Sequence, residues 1–442
     1  MRTYRRISIV AGAALTAALA ATAAPHASAV GATPAPKPTQ RVEYFTEPGG
    51  HPHHRTVPAS PTPPRSLTPA APSAPSVKGD GAVTSVVNNG PIGTKLDVVF
   101  IGDGYTASQQ EAFHAAVRAK WAKMSAVEPY ASYRNLFNVW AVDAVSRDSG
   151  VSGDPAQGVK RDTALGSGFF CDGVERLLCV DTGKVESYAA KAPAADLVVV
   201  LANSTKYGGA GYNDVVSKVG YDGIATASSD NDRSDQIAVH ETGHSLGKLA
   251  DEYQYDEYGT YTGAEPRDVN TSTLDAGRMG AQRTKWYRWL GQRSPDGGTV
   301  GAFEGGGYYP KGLFRPTENS IMRSLGREFN LVGREAMIAG FYRHASVLTA
   351  ADGTAAAGTT IGRGARVGVR LPAATSTVHW YVDGHEVVWF RGKTTVVPGA
   401  VGVPRDGRTH TLTARAVDRT DAVRDPELAK RLRGELSWKV AG

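Results

Sequence analysis

The sequence predicts an α/β or α+β fold: strands and helices leading to one chemically loaded helix, followed by a small all-β sandwich. Three observations lead there. Between about residues 95 and 230, short apolar runs and one helical repeat come in the order strand, helix, strand, strand. A His-Glu-Thr-Gly-His string follows at positions 240–244. From about residue 350 helical signals fade and period-two alternation takes over.

The elements are read in chain order. Leu96 to Ile101 is an apolar run of buried-strand type. Thr106 can cap the helix on which Phe113, Val117, Trp121 and Met124 repeat at helical spacing, and Pro129 lies past its end. Asn138 to Val145 reads as a second strand. Asp196 to Leu201 is a third, nearly all apolar and hence covered on both faces. Tyr207 to Tyr212 is glycine-rich and reads as a loop; with no Gly-Lys-Ser/Thr after it, it is no phosphate loop. Ile224 to Ser228 is a candidate edge strand. In the C-terminal region Val367, Val369 and Leu371 alternate, as do Val378, Trp380 and Val382 ahead of an Asp383-Gly384 hairpin turn; Thr409 to Val417 adds another strand. The expected organisation is therefore a domain over 83–349 and a β-sandwich over 350–442.

The N-terminus is of a different character. Arg2, Arg5 and Arg6, the apolar run Ile7 to Ala24 and the small residues Ala27-Ser28-Ala29 form the pattern of a signal peptide over 1–29. Its removal leaves a soluble, secreted chain with no membrane partner. Residues 30–82 are rich in Pro, Ala, Ser and Thr and read as a linker or propeptide, with order expected from about Val83. His51, His53 and His54 fall in this stretch and read as solvated. Of the formal charge of +6, three arginines leave with the signal, so +6 − 3 = +3 remains. That is too weak, and too little clustered with aromatics, for a nucleic-acid partner. Nothing in the chain calls for a second copy, and a monomer is expected. The two cysteines, Cys171 and Cys179, are close enough for a local disulfide in an exported protein.

The chemistry concentrates at His240-Glu241-Thr242-Gly243-His244. On a helix capped by Ser234 or Asp235, His240 and His244 share one face and can bind one Zn²⁺ ion. Glu241 lies about 100° round the helix, placed to act as a general base on water rather than as a ligand. A tetrahedral site needs a third protein ligand. Position 250 is Ala, and Asp251 offers the first carboxylate beyond Gly247, where the helix can end and the chain fold back. Glu252, His344 and Glu265 remain alternatives. Asp251 to Gly259 is acidic and Tyr-rich without the oxygen spacing of a calcium loop; it reads as structural, with Tyr253 or Tyr258 near a substrate. Met322 on its own reads as a core residue.

Several strings together resemble a known family: DVVFIGDGYTASQ, FNVWAVDAVSRDSGVSGDP, DLVVVLANSTKYGGAGY, HETGHSLGKLADEY and VGAFEGGGYYPKGLFRPTENSIMRS, spread over most of residues 95 to 330. They are similar to the IgA-peptidase family of secreted bacterial zinc metallopeptidases, metallopeptidase family 64. The resemblance implies a metzincin-like zinc peptidase domain: a mixed sheet above the active-site helix, an antiparallel edge strand that aligns substrate, and a methionine turn at Met322. It implies His240 and His244 as zinc ligands, Glu241 as catalytic base and Asp251 as third ligand. Ser324, rather than a tyrosine, stands two residues after Met322, which leaves Tyr308 or Tyr309 to assist an oxyanion. The C-terminal region resembles Ig-like sandwiches generically. The leading expectation is an endopeptidase with one catalytic zinc ion and protein or peptide substrates. A zinc hydrolase of another bond and a non-catalytic extracellular binding protein are the alternatives, and the intact His-Glu-x-x-His string speaks against the last.

Overall fold

The apolar runs pair into one eight-stranded sheet in the computed structural model, which describes residues 38–48, 50, 52–59 and 79–442. The expected signal peptide and most of the Pro-rich stretch lie outside the described residues. The strands are β1 (Thr39–Phe45), β2 (Pro52–Pro58), β3 (Val83–Val87), β4 (Leu96–Asp103), β5 (Phe137–Val142), β6 (Leu197–Ala202), β7 (Gly209–Tyr212) and β8 (Ile224–Ser228). Their order across the sheet is β2-β1-β7-β8-β6-β4-β5-β3. The centre, β8-β6-β4-β5, is parallel; β3 and the block β7-β1-β2 run antiparallel to their neighbours.

Burial follows the pleat. On β4, Val98 and Phe100 join the core that includes Phe113, Val117 and Met124 of the first helix (Gln110–Met124). Val99 and Ile101 point to the opposite face, against Val185 and Ala189 of the helix Thr182–Ala189. The central strands are thus covered on both sides, as their largely apolar runs require. Cys171 and Cys179 are disulfide-bonded, with a sequence separation of 8.

Three local readings change. The glycine-rich run is not a loop throughout: its second half is β7. Consequently Ile224–Ser228 is not an edge strand but lies between β6 and β7. The glycines are needed because the helix Asp235–Gly247 crosses β7 closely. A Cβ at Gly209 would stand 2.4 Å from the Thr226 carbonyl and 3.1 Å from Ile237. Order also begins before Val83, since β1 and β2 form a hairpin in full register from Thr39↔Pro58 to Phe45↔Pro52.

Beyond the helix Leu331–His344 the regular structure is mainly β, in a three-stranded and a five-stranded sheet. Asp383 and Gly384 both take positive φ, 49° and 83°, in the tight turn between Ser376–Val382 and His385–Glu386. Trp380 and Trp438 are fully buried between the sheets' strands. This core is continuous with that of the preceding region, through Phe341, Leu348 and Val367. Polar ties reinforce it: Asp418 accepts hydrogen bonds from the Tyr133 and Tyr342 hydroxyls at 3.0 and 2.9 Å.

Candidate metal centre

The helix carrying His240 and His244 starts at Asp235 and ends at Gly247. Ser234 is its N-cap residue, and buried Asp235 in the first turn pairs with Lys120 and Lys123. Negative charge there suits the helix dipole. The chain reverses one residue later than the glycine suggests. Gly247 stays helical, and Lys248 takes the left-handed conformation, φ 51°. Gly247 is required for space instead: a Cβ there would meet Met337 Sδ at 3.0 Å. The reversal carries Asp251 back beside both histidines.

Each imidazole is oriented by a backbone carbonyl. His240 Nδ1 donates to the Ile321 carbonyl at 2.9 Å and His244 Nδ1 to that of Leu249 at 2.7 Å. Both Nε2 atoms therefore present lone pairs to the same point. They stand 3.1 Å apart. Asp251 Oδ1 lies 3.4 and 3.3 Å from them, while its Oδ2 accepts from the Tyr308 hydroxyl at 2.6 Å. A fourth donor arrives from β1: Glu43 places Oε1 3.2 Å from His240 Nε2 and Oε2 3.2 Å from His244 Nε2. Tyr253 donates to Glu43 Oε1 at 3.2 Å. Ligand-capable atoms of these four residues all lie within 4.8 Å of one another.

This donor set fits a metal ion. Acceptor lone pairs and carboxylates converging in a buried space repel unless a cation sits among them. Tetrahedral bonds of about 2 Å imply ligand-to-ligand separations of about 3.3 Å, and the 3.1–3.4 Å separations here straddle that value. Two imidazole nitrogens and carboxylate oxygens suit a divalent metal ion.

The other candidates for the third ligand lie elsewhere. Buried Glu252 points away from the histidines and accepts from Asn270 at 3.0 Å, Ser320 at 2.8 Å and Asn330 at 3.0 Å. His344 pairs with Asp196 and Asp222, and Glu265 with Thr273 and Lys285. Met322 lies directly under the motif helix, where a Cβ at Gly243 would meet its Sδ at 2.5 Å. The same turn supplies the Ile321 carbonyl that orients His240. Tyr258 is exposed at the rim, while Tyr253 reaches the centre.

Glu241 turns to the other side of the histidines. Its Oε2 accepts from Asn213 Nδ2 at 2.8 Å, and its Oε1 is buried without a hydrogen-bond partner. Burial, and then the charge of Glu43, raise its pKa above the usual carboxylate value. It packs against Gly211 so tightly that a Cβ there would stand 1.6 Å from Oε2. Gly211→Ala is therefore expected to displace the carboxylate and lower kcat/KM by about 10²-fold or more, with metal content unchanged. Steady-state kinetics alongside metal analysis on the purified variant check this.

Glu43 and Asn213 were not singled out by sequence reasoning. The signal for the first was a short strand-forming run, Val42 to Phe45, inside a stretch whose overall composition suggested no structure.

A model of the family described as IgA Peptidase M64 matches residues 84–296 and 292–341, more than half of the chain. The chain belongs to this family. No curated protein matches it. M64 peptidases are metallopeptidases, so substrates are proteins or peptides. The M64 match takes in His240, Glu241, His244 and Asp251 but begins beyond β2, leaving Glu43 outside it. No helix among the described residues is long and apolar enough to cross a membrane.

Proposed function

We propose that the chain is a secreted, zinc-dependent endopeptidase of metzincin-like design that cleaves extracellular proteins. The observation that carries this is the convergence of His240 Nε2, His244 Nε2 and Asp251 Oδ1 at tetrahedral spacing, with a buried carboxylate beside them that has one oxygen free. These three residues would hold a single Zn²⁺. When bound, the ion supplies Lewis acidity, polarising the scissile carbonyl and acidifying water.

The chain's own residues do the rest. Asn213 fixes Glu241 through Oε2, so Oε1 is the atom that takes a proton from the attacking water. Low solvation raises the proton affinity of Glu241, which suits a group that must accept a proton and then give it up. The water's oxygen bonds to the carbonyl carbon, the C–N bond breaks, and Glu241 returns the proton to the departing amine. Ile321 and Leu249 hold the imidazole Nδ1 protons, and Tyr308 holds Asp251. The Tyr308 hydroxyl is committed to that ligand rather than to an oxyanion. An extended substrate can add to β7, which runs antiparallel to β8, by strand pairing.

Export rests on the N-terminal pattern of basic, apolar and small residues, and the Cys171–Cys179 disulfide suits an oxidising compartment. A monomer is proposed. In the test, hydrolysis of casein or a quenched-fluorescence peptide should stop on addition of 1,10-phenanthroline and return with Zn²⁺. Full activity in protein that metal analysis finds metal-free would overturn the reading.

A further inference from the structure

We infer that residues 39–58 form an inhibitory prosegment, which lies in the substrate cleft and closes the metal centre with Glu43 as fourth ligand. The inference rests on the metallopeptidase reading above. Its basis is where β1 sits. β1 pairs antiparallel with β7, and the paired residues are Glu43 and Gly211. Gly211 is also the residue against which Glu241 packs. The strand thus lies along the edge where an extended substrate would pair, and its register sets a carboxylate at the metal centre.

Glu43 is buried, 3% exposed, with one oxygen 3.2 Å from each histidine Nε2. A catalytic zinc site keeps one position for water or substrate, whereas four protein ligands make a closed site. With His240, His244 and Asp251 already present, Glu43 takes the open position. Two carboxylates against two neutral imidazoles also balance a divalent ion's charge, which favours the closed state.

The hairpin is held at several points. Phe45 is fully buried among Tyr207, Ile237 and Leu325, edge-on to the His240 ring at 5.1 Å. The Tyr255 hydroxyl donates to the Pro52 carbonyl. His54 on β2 stands 3.6 Å from Glu43 Oε2 and 3.3 Å from the Tyr308 hydroxyl. Residues 60–78 connect the hairpin to the rest of the chain. One cut there would leave 39–58 held by non-covalent contacts alone.

The test uses the full chain in two forms, with Zn²⁺ for turnover of a quenched-fluorescence peptide and with Co²⁺ for visible spectra. Glu43→Gln and Glu43→Ala should raise turnover about tenfold or more, because the competent state no longer competes with the closed one. Both should shift the Co²⁺ bands. In the unsubstituted chain, a cut within 60–78 followed by size separation of the fragment should produce the same two changes, which removes any dependence on how the variants fold. An unchanged Co²⁺ spectrum in both variants, or equal turnover before and after the fragment is removed, overturns the inference. Shifted spectra without hydrolysis of any peptide by any form would uphold Glu43 as a ligand and sink the peptidase reading instead.

Discussion

Replacing Glu241 with glutamine is expected to lower kcat/KM by roughly 10²- to 10⁴-fold, the range that general acid–base catalysis supplies, while bound zinc stays stoichiometric. The side chain touches Asn213 and Gly211 and contributes no atom to the cluster of metal-capable donors. Glutamine keeps the shape and can still meet Asn213, so the scaffold is preserved. What it cannot do is take a proton at the position of Oε1. The comparison is made after removal of residues 39–58, so that an open cleft is compared with an open cleft. Metal analysis on the same samples decides the role: loss of zinc in step with activity would show that Glu241 binds metal and is not the base.

Asp251→Ala is expected to lose metal, and Glu252→Ala to lose stability. The two acids are adjacent in sequence and both buried, yet they face different partners. Asp251 supplies an oxygen within 3.4 Å of both imidazoles. Removing a mere outer partner of a metal ligand costs about 10- to 100-fold in affinity, so removing a direct ligand should cost more, and activity should vanish with the ion. Glu252 instead gathers Asn270, Ser320 and Asn330, and its backbone N–H donates to the Met322 carbonyl at 2.8 Å. Truncation leaves these buried donors without an acceptor, at a cost of about 3 kcal/mol. The folded fraction should still bind zinc. Metal titration and thermal melting of both variants give the answer, and full zinc affinity in Asp251→Ala would refute the assignment.

Where the sequence was legible, the signal was local. β6 shows as an unbroken apolar run and β4 as a mostly apolar one because both their faces are covered, and the first helix shows because Phe113, Val117, Trp121 and Met124 fall on one side. His240, Glu241 and His244 declare themselves through i, i+4 geometry on one helix. Asp251 follows from the need to turn back after the helix, although the turn itself uses Lys248. β7 was hidden because glycine is a poor strand former. Its glycines answer to the helix crossing above, a contact that strand propensity does not encode. Glu43 was harder still. It meets His240 across 197 positions of chain, and its short strand-forming run sits in a longer stretch rich in Pro, Ala, Ser and Thr. A composition window averages over the few residues of β1 that pair, and no motif marks a ligand brought in by sheet register.

The shortness of β7 bears on how such a protein stays dispersed. An unpaired sheet edge offers its N–H and C=O groups to any extended chain, including other copies of itself, and long flat edges are templates for aggregation. β7 has four residues, two of them glycine. An edge so brief can grip a few residues of a passing polypeptide at the catalytic centre. It offers too little length and too little side-chain surface for sheets of neighbouring molecules to zip together. In the described sheet β1 pairs with β7 and covers that short edge, with β2 outermost.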